Sequence, residues 1–144
     1  MRDHILVVDD DADAREVLVR VVHFLGLEAA TAADGDEALA LIRVNLPRLV
    51  MLDLMMPKRD GFSVLAIMRA QPLTRQIPVI VVTACSSDQL ETLKLPGVAG
   101  VVQKGGFSLD GLTALIRSQL QGCGQSRMAV TTARMPTRPQ NLAR

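Results

Sequence analysis

The chain has 144 residues, 49% of them hydrophobic and 22% charged, which suits one domain with one well-buried core. It has no Trp or Tyr and only three Phe, so that core must be aliphatic, and nothing suggests aromatic platforms for stacking bases. The net charge of +1 hides an asymmetry: residues 1–121 carry 12 basic against 15 acidic groups, −3, whereas 122–144 carry four Arg and no acid, +4.

The N-terminus reads MRDHILVVDDD, with acids directly behind a short apolar run, unlike a signal peptide or a targeting helix. The longest apolar runs are strand-sized, far below the ~20 residues of a membrane span. A cytoplasmic protein with no membrane partner is expected. Cys85 and Cys123 are far apart, with no CxxC and no His cluster, and read as buried or incidental thiols.

In chain order, Ile5–Val8 is a strand. Val17, Leu18, Val21, Val22 and Leu25 then form the apolar face of a helix, with Gly26 where a terminal glycine belongs. Glu28–Thr31 is a weaker strand and Asp36–Val44 a helix. Leu49–Leu52 is a strand, and Asp60 and Gly61 turn the chain into a helix over Gly61–Ala70. Val79–Val82 is a strand, Ser87–Lys94 a short helix stopped by Pro96, Val98–Val102 a strand and Ser108–Gln121 a helix. The apolar runs are nearly continuous, as in parallel strands buried on both faces. The alternation predicts an α/β fold, a parallel sheet with helices on both faces and right-handed crossovers. From Gly122 the periodicity is lost and Gly, Pro, Ser and Thr accumulate. A folded domain over 1–121 and a disordered basic tail over 122–144 are expected.

In such sheets ligands sit beyond the carboxyl ends of the strands. There the first strand delivers Asp9, Asp10 and Asp11, the third Asp53, the fourth Thr83, and the fifth runs into Lys104. Crowded carboxylates need a compensating cation, and with only oxygen ligands at hand Mg²⁺ fits best. A carboxylate beside such an ion can attack phosphorus and form an aspartyl phosphate. Catalysis of that transfer is mostly positioning and charge neutralisation, tasks that match Asp53, Lys104 and Thr83.

The segments VVDDD, VMLDLMMPKRDGF, VIVVTA and VQK, in this order and spacing, resemble the receiver domain of two-component response regulators over roughly residues 4–121. The resemblance implies a doubly wound five-stranded sheet of flavodoxin-like order 2-1-3-4-5. It makes Asp53 the phosphoacceptor, places Mg²⁺ on Asp10 directly and on Asp9 through water, and adds the Met55 backbone carbonyl as a ligand. It makes Thr83 the switch hydroxyl and Lys104 the cation that bonds first to Asp53 and then to the phosphoryl group. Phosphorylation would shift the packing of the 87–94 helix and the fourth and fifth strands, changing a docking surface. The implied donor is a sensor histidine kinase or a histidine phosphotransfer protein, and the implied target a downstream protein.

The pattern departs from the family in three places. Lys104 is followed by Gly105 and Gly106, not by a cis-proline, which loosens its turn. Val101 stands where an aromatic residue often swings inward. Met55 and Cys85 occupy positions that tune hydrolysis and cannot orient a water, so self-dephosphorylation is expected to be slow.

Plainer readings exist for each residue: a solvated helix cap for the acids, a strand residue for Thr83, a surface lysine for Lys104. The acids also mimic the start of a calcium loop, but Ala14 replaces its glycine and Arg20 its closing Glu. His4 and His23 have no partner at metal spacing. A haloacid-dehalogenase-type phosphatase would need an acid where Met55 stands, so no turnover enzyme is expected. The leading expectation is a stand-alone response regulator receiver. The alternatives are a degenerate receiver that docks independently of phosphorylation and a fragment of a longer regulator. The tail shows no helix-turn-helix pattern, and its four scattered Arg make nucleic acid an unlikely partner.

Overall fold

The computed structural model describes residues 4–56, 58–84, 98–106 and 108–121, together with the backbone of Thr131–Thr132. Its elements are β1 (His4–Val8), α1 (Ala12–Phe24), β2 (Glu28–Ala32), α2 (Gly35–Val44), β3 (Leu49–Leu52), α3 (Gly61–Ala70), β4 (Val79–Thr83), β5 (Val98–Gln103), α4 (Leu109–Gln121) and β6 (Thr131–Thr132). All pairings are parallel, as the alternation of elements predicts, and the order is β2-β1-β3-β4-β5, as the resemblance implies. The two-residue β6 lies within the segment expected to be disordered. It extends the sheet beyond β5, pairing Thr131 with Gly100 and Thr132 with Val101. The helix expected over Ser87–Lys94, and with it Cys85 and Pro96, lies outside the described residues, as does Cys123.

Side chains alternate across a strand, so each buried strand feeds two cores. Leu6, Val8, Val50, Leu52, Val79 and Val81 face α2 and α3, where they meet Ala38, Ile42, Val64 and Met68. Ile5, Val7, Leu49, Met51, Ile80 and Val82 face the other way, against Leu18, Val21 and Val22 of α1 and Leu112 and Ile116 of α4. Every residue of β1, β3 and β4 is buried, which explains why these runs are continuous and not alternating in hydrophobicity.

Aspartates start three of the helices. Asp11 accepts from the Asp13 N–H, Asp34 from that of Glu37, and Asp60 from that of Ser63. At the other end of α1, Gly26 adopts φ +81°, a conformation that favours glycine. Its N–H donates to the His23 carbonyl and that of Leu27 to the Val22 carbonyl, closing the paired terminal bonds of a Schellman motif.

β5 is irregular. Val79 pairs with Val98 but Ile80 pairs with Gly100, so Ala99 is an extra residue, a bulge. Val98 and Val101, three apart, therefore share one core face while Val102 joins the other. Beyond the bulge the register is regular through Thr83 and Gln103, and it sets the position of the next residue, Lys104.

Candidate functional site

β1 and β3 are neighbours at the middle of the sheet, with Val8 opposite Leu52, so the residues that follow them emerge side by side. The Asp9 N–H donates to the Ala32 carbonyl at 3.1 Å and the Asp53 N–H to the Val8 carbonyl at 3.0 Å. The ladder thus continues one residue past each apolar run and pulls both acids under the rim. Asp9 is fully buried and Asp53 is 2% exposed.

Lys104 arrives from the opposite side. Its N–H donates to the Thr83 carbonyl at 2.8 Å, and its ammonium donates to Asp9 Oδ1 at 3.1 Å and Asp53 Oδ2 at 3.3 Å. No cis peptide bond occurs among the described residues, and Gly105 and Gly106 lie in open space outside the left-handed region. The strand register and the ion pairs place Lys104 without the family's proline. Thr83 ends β4 on the same rim and is fully buried. Val101 is buried in the core facing α2 and α3 and has no polar tip to swing.

Asp10 is exposed at the mouth, and one carboxylate oxygen each from Asp9, Asp10 and Asp53 lies within 4.8 Å of the others. The Met55 N–H donates to Asp53 Oδ1 at 3.2 Å while its side chain is exposed. The expected site residues Asp9, Asp10, Asp53 and Lys104 therefore converge, with Met55 against Asp53 and Thr83 bonded through its carbonyl to the main chain of Lys104.

The charge balance is unfavourable as it stands. Burial, and next the charge of Asp9, raise the pKa of Asp53 above its ordinary value, overriding Lys104 and the Met55 N–H. Burial works to lower the pKa of Lys104, but its hydrogen bonds and charge interactions with Asp9 and Asp53 outweigh this and raise it. Asp9 Oδ2 lies 2.9 Å from the ammonium yet outside hydrogen-bonding geometry, so its contact is an ion pair alone. Three carboxylates face one ammonium, every donor is a hard oxygen, and one buried oxygen lacks a hydrogen bond. That donor set fits a hard divalent cation such as Mg²⁺.

Two contributors were not legible in the sequence. Arg15 Nη1 donates to the Asp9 carbonyl at 2.8 Å, across six residues. Gly61, read as a turn residue, is also a close approach: a Cβ there would overlap the Asp53 carbonyl oxygen and come within 2.7 Å of Leu54 Cα. Only glycine lets the start of α3 pack on the backbone of Asp53, and the DG pair was the one available signal. Gly61→Ala is expected to lose about 1–3 kcal/mol of stability by urea unfolding, the usual range for overpacking, because backbone must move. The loop between them is tied to α2, with Arg59 Nε 2.7 Å from Asp36 Oδ1 and Lys58, at φ +58°, 3.6 Å from Asp34 Oδ2.

The family model described as response regulator receiver domain matches residues 5–117. The chain is 39% identical over 122 residues to a probable transcriptional regulator, ycf27, of Porphyridium aerugineum, covering 83% of this chain and 49% of that protein. It is 36% identical over 121 residues to the DNA-binding response regulator MtrA of Mycobacterium leprae, covering 84% and 52%. The chain thus spans about half the length of these curated relatives. Among solved structures, the receiver domain of the Francisella response regulator 1452 is 33% identical with a TM-score of 0.72, covering 83% of this chain and 97% of that one. The response regulator protein TrrA of Thermotoga maritima, in complex with Mg(2+)-BeF, is 31% identical with a TM-score of 0.72, covering 81% and 97%.

Proposed function

The chain belongs to the response regulator receiver domain family, and we propose that it accepts a phosphoryl group on Asp53 from a phosphohistidine donor. Receivers are signalling modules and not turnover enzymes. The observation that carries the proposal is the pair of buried carboxylates, Asp9 and Asp53, bridged by Lys104 with Asp10 at the mouth.

In this reading a carboxylate oxygen of Asp53 attacks phosphorus, the new P–O bond replaces the P–N bond, and the donor imidazole leaves. Lys104, already between the carboxylates, follows the charge onto the phosphoryl oxygens. Thr83 supplies a hydroxyl donor from the neighbouring strand end. Asp9, Asp10, Asp53 and the Met55 carbonyl would hold Mg²⁺, which when bound neutralises carboxylate and phosphoryl oxygens. The solved neighbour in complex with Mg(2+)-BeF supports this cofactor by similarity. The Met55 side chain has no donor and only a weakly accepting thioether, so it cannot orient an attacking water as a carboxamide or carboxylate would, in keeping with slow self-dephosphorylation.

The donor would be a sensor histidine kinase or a histidine phosphotransfer protein, and the output a docking surface that changes on phosphorylation. No helix among the described residues is long and apolar enough to cross a membrane. A cytoplasmic location remains part of the proposal. The expectation against nucleic acid draws no support from relatives named as a transcriptional regulator and a DNA-binding response regulator. DNA contact would belong to an output that this domain controls. The buried Val101 favours one second reading, a receiver whose docking ignores phosphorylation because no aromatic residue couples to Thr83.

Acetyl phosphate with Mg²⁺, read as intact mass, tests the proposal. One added phosphoryl group is expected, and chelation of Mg²⁺ should abolish it. Labelling that survives chelation would remove the metal from the account, and no labelling under any donor would leave the docking module.

A further inference from the structure

We infer that Arg15 is a positioning residue for the cation site: its guanidinium fixes the main chain of Asp9 and thereby the aim of the Asp9 carboxylate. The inference rests on the Mg²⁺ reading above.

Asp9 stands between the end of β1 and the start of α1, where the chain leaves one hydrogen-bonding ladder before entering the next. Its N–H still reaches the sheet, donating to the Ala32 carbonyl. Its carbonyl has left the ladder, and in a fully buried residue an unpaired carbonyl is costly. Arg15 supplies the bond at 2.8 Å, and its own N–H donates to the Asp11 carbonyl at 3.0 Å, anchoring it in the first turn of α1.

The carboxylate of Asp9 is held in the same way. Oδ1 accepts from the Asp11 N–H at 2.9 Å and from Lys104 at 3.1 Å. Asp9 is thus held through its N–H, its carbonyl and its side chain. Arg15 is the one of these partners that touches neither the sheet nor the carboxylates themselves in the bonds described. Outer partners of this kind fix ligand orientation in metal sites.

Charge alone makes the opposite prediction. A guanidinium on the carbonyl of Asp9 adds positive charge close to a carboxylate of the site and competes with a divalent cation, so its removal should tighten Mg²⁺ binding. The sign of the change therefore separates positioning from simple charge compensation.

The test is calorimetric titration of Mg²⁺ into the full chain as wild type, Arg15→Met, Arg15→Lys and Asp10→Asn. Arg15→Met is expected to weaken binding about tenfold, the lower end of outer-partner effects on metal affinity. Arg15→Lys, which keeps a donor, should retain most of it. Arg15→Met binding Mg²⁺ as tightly as wild type, or more tightly, overturns the inference. If Arg15→Met shows no cooperative thermal transition, Arg15→Gln carries the same expectation, because its amide is too short to reach the carbonyl. Wild-type binding that is absent, or unchanged in Asp10→Asn, overturns the Mg²⁺ reading and this inference with it. Normal wild-type binding with an unaffected Arg15 variant overturns this inference alone.

Discussion

Asp53→Asn is expected to abolish phosphoryl labelling and, without Mg²⁺, to make the protein more stable. An amide keeps an acceptor for the Met55 N–H but has no anionic oxygen to attack phosphorus. Stability follows from the raised pKa of Asp53, which burial and the neighbouring Asp9 produce. An acid with a raised folded-state pKa holds its proton longer in the native than in the unfolded state. Stability therefore falls as pH rises from the unfolded value through the folded one. Above the folded value the wild type carries that penalty in full, and the asparagine variant does not. The gain should exceed the ~0.5 kcal/mol within which most surface substitutions fall, and should shrink at a pH below the ordinary Asp value. Urea unfolding in chelator at pH 7 and at low pH checks both parts. A variant less stable than wild type at pH 7 would mean that the Lys104 pair outweighs the burial of charge. A variant that still takes one phosphoryl group on a different residue would remove Asp53 from its role.

Lys104→Met should have the second largest effect, of opposite sign on stability. The methionine keeps the length and apolar stem but leaves Asp9 and Asp53 buried with no cation between them. Breaking a fully buried pair costs about 3–5 kcal/mol. The Lys104 side chain is 23% exposed, and solvent screening brings the expected loss to about 1–3 kcal/mol in chelator. Excess Mg²⁺ should recover part of the loss through binding linkage, and labelling should slow by about 10²–10³, as when one charge-stabilising donor is lost. The double variant with Asp53→Asn should lose much less stability than Lys104→Met alone, since only one buried carboxylate then remains. Additive losses in that cycle would show that Lys104 stabilises the fold by packing and not through Asp53.

Much of the rim was readable before the structure because its buried members directly follow apolar runs. Asp9 after Val8, Asp53 after Leu52 and Thr83 after Val82 need only the rule that parallel strands end on one edge. Strand limits ran a residue beyond the expected ends, to Ala32, Thr83 and Gln103, because backbone ladders do not stop where a side-chain pattern does. Gly61 against Asp53 and Arg15 against Asp9 were not readable, since both depend on backbone atoms brought together by folding. The bulge at Ala99 escaped for the opposite reason. The run VAGVVQ has no alternation to interrupt, so an added residue leaves no mark on its pattern.

That bulge divides β5 into two stretches with different tolerance for change in length. Side chains alternate, so inserting or deleting one residue between Val101 and Lys104 would turn the ammonium to the opposite face and strand both acids. The same change near Ala99 falls where the strand already departs from regular pairing and where an extra residue is accommodated. Lineages of this chain should therefore gain and lose residues before Gly100 and keep a constant count from there to the lysine.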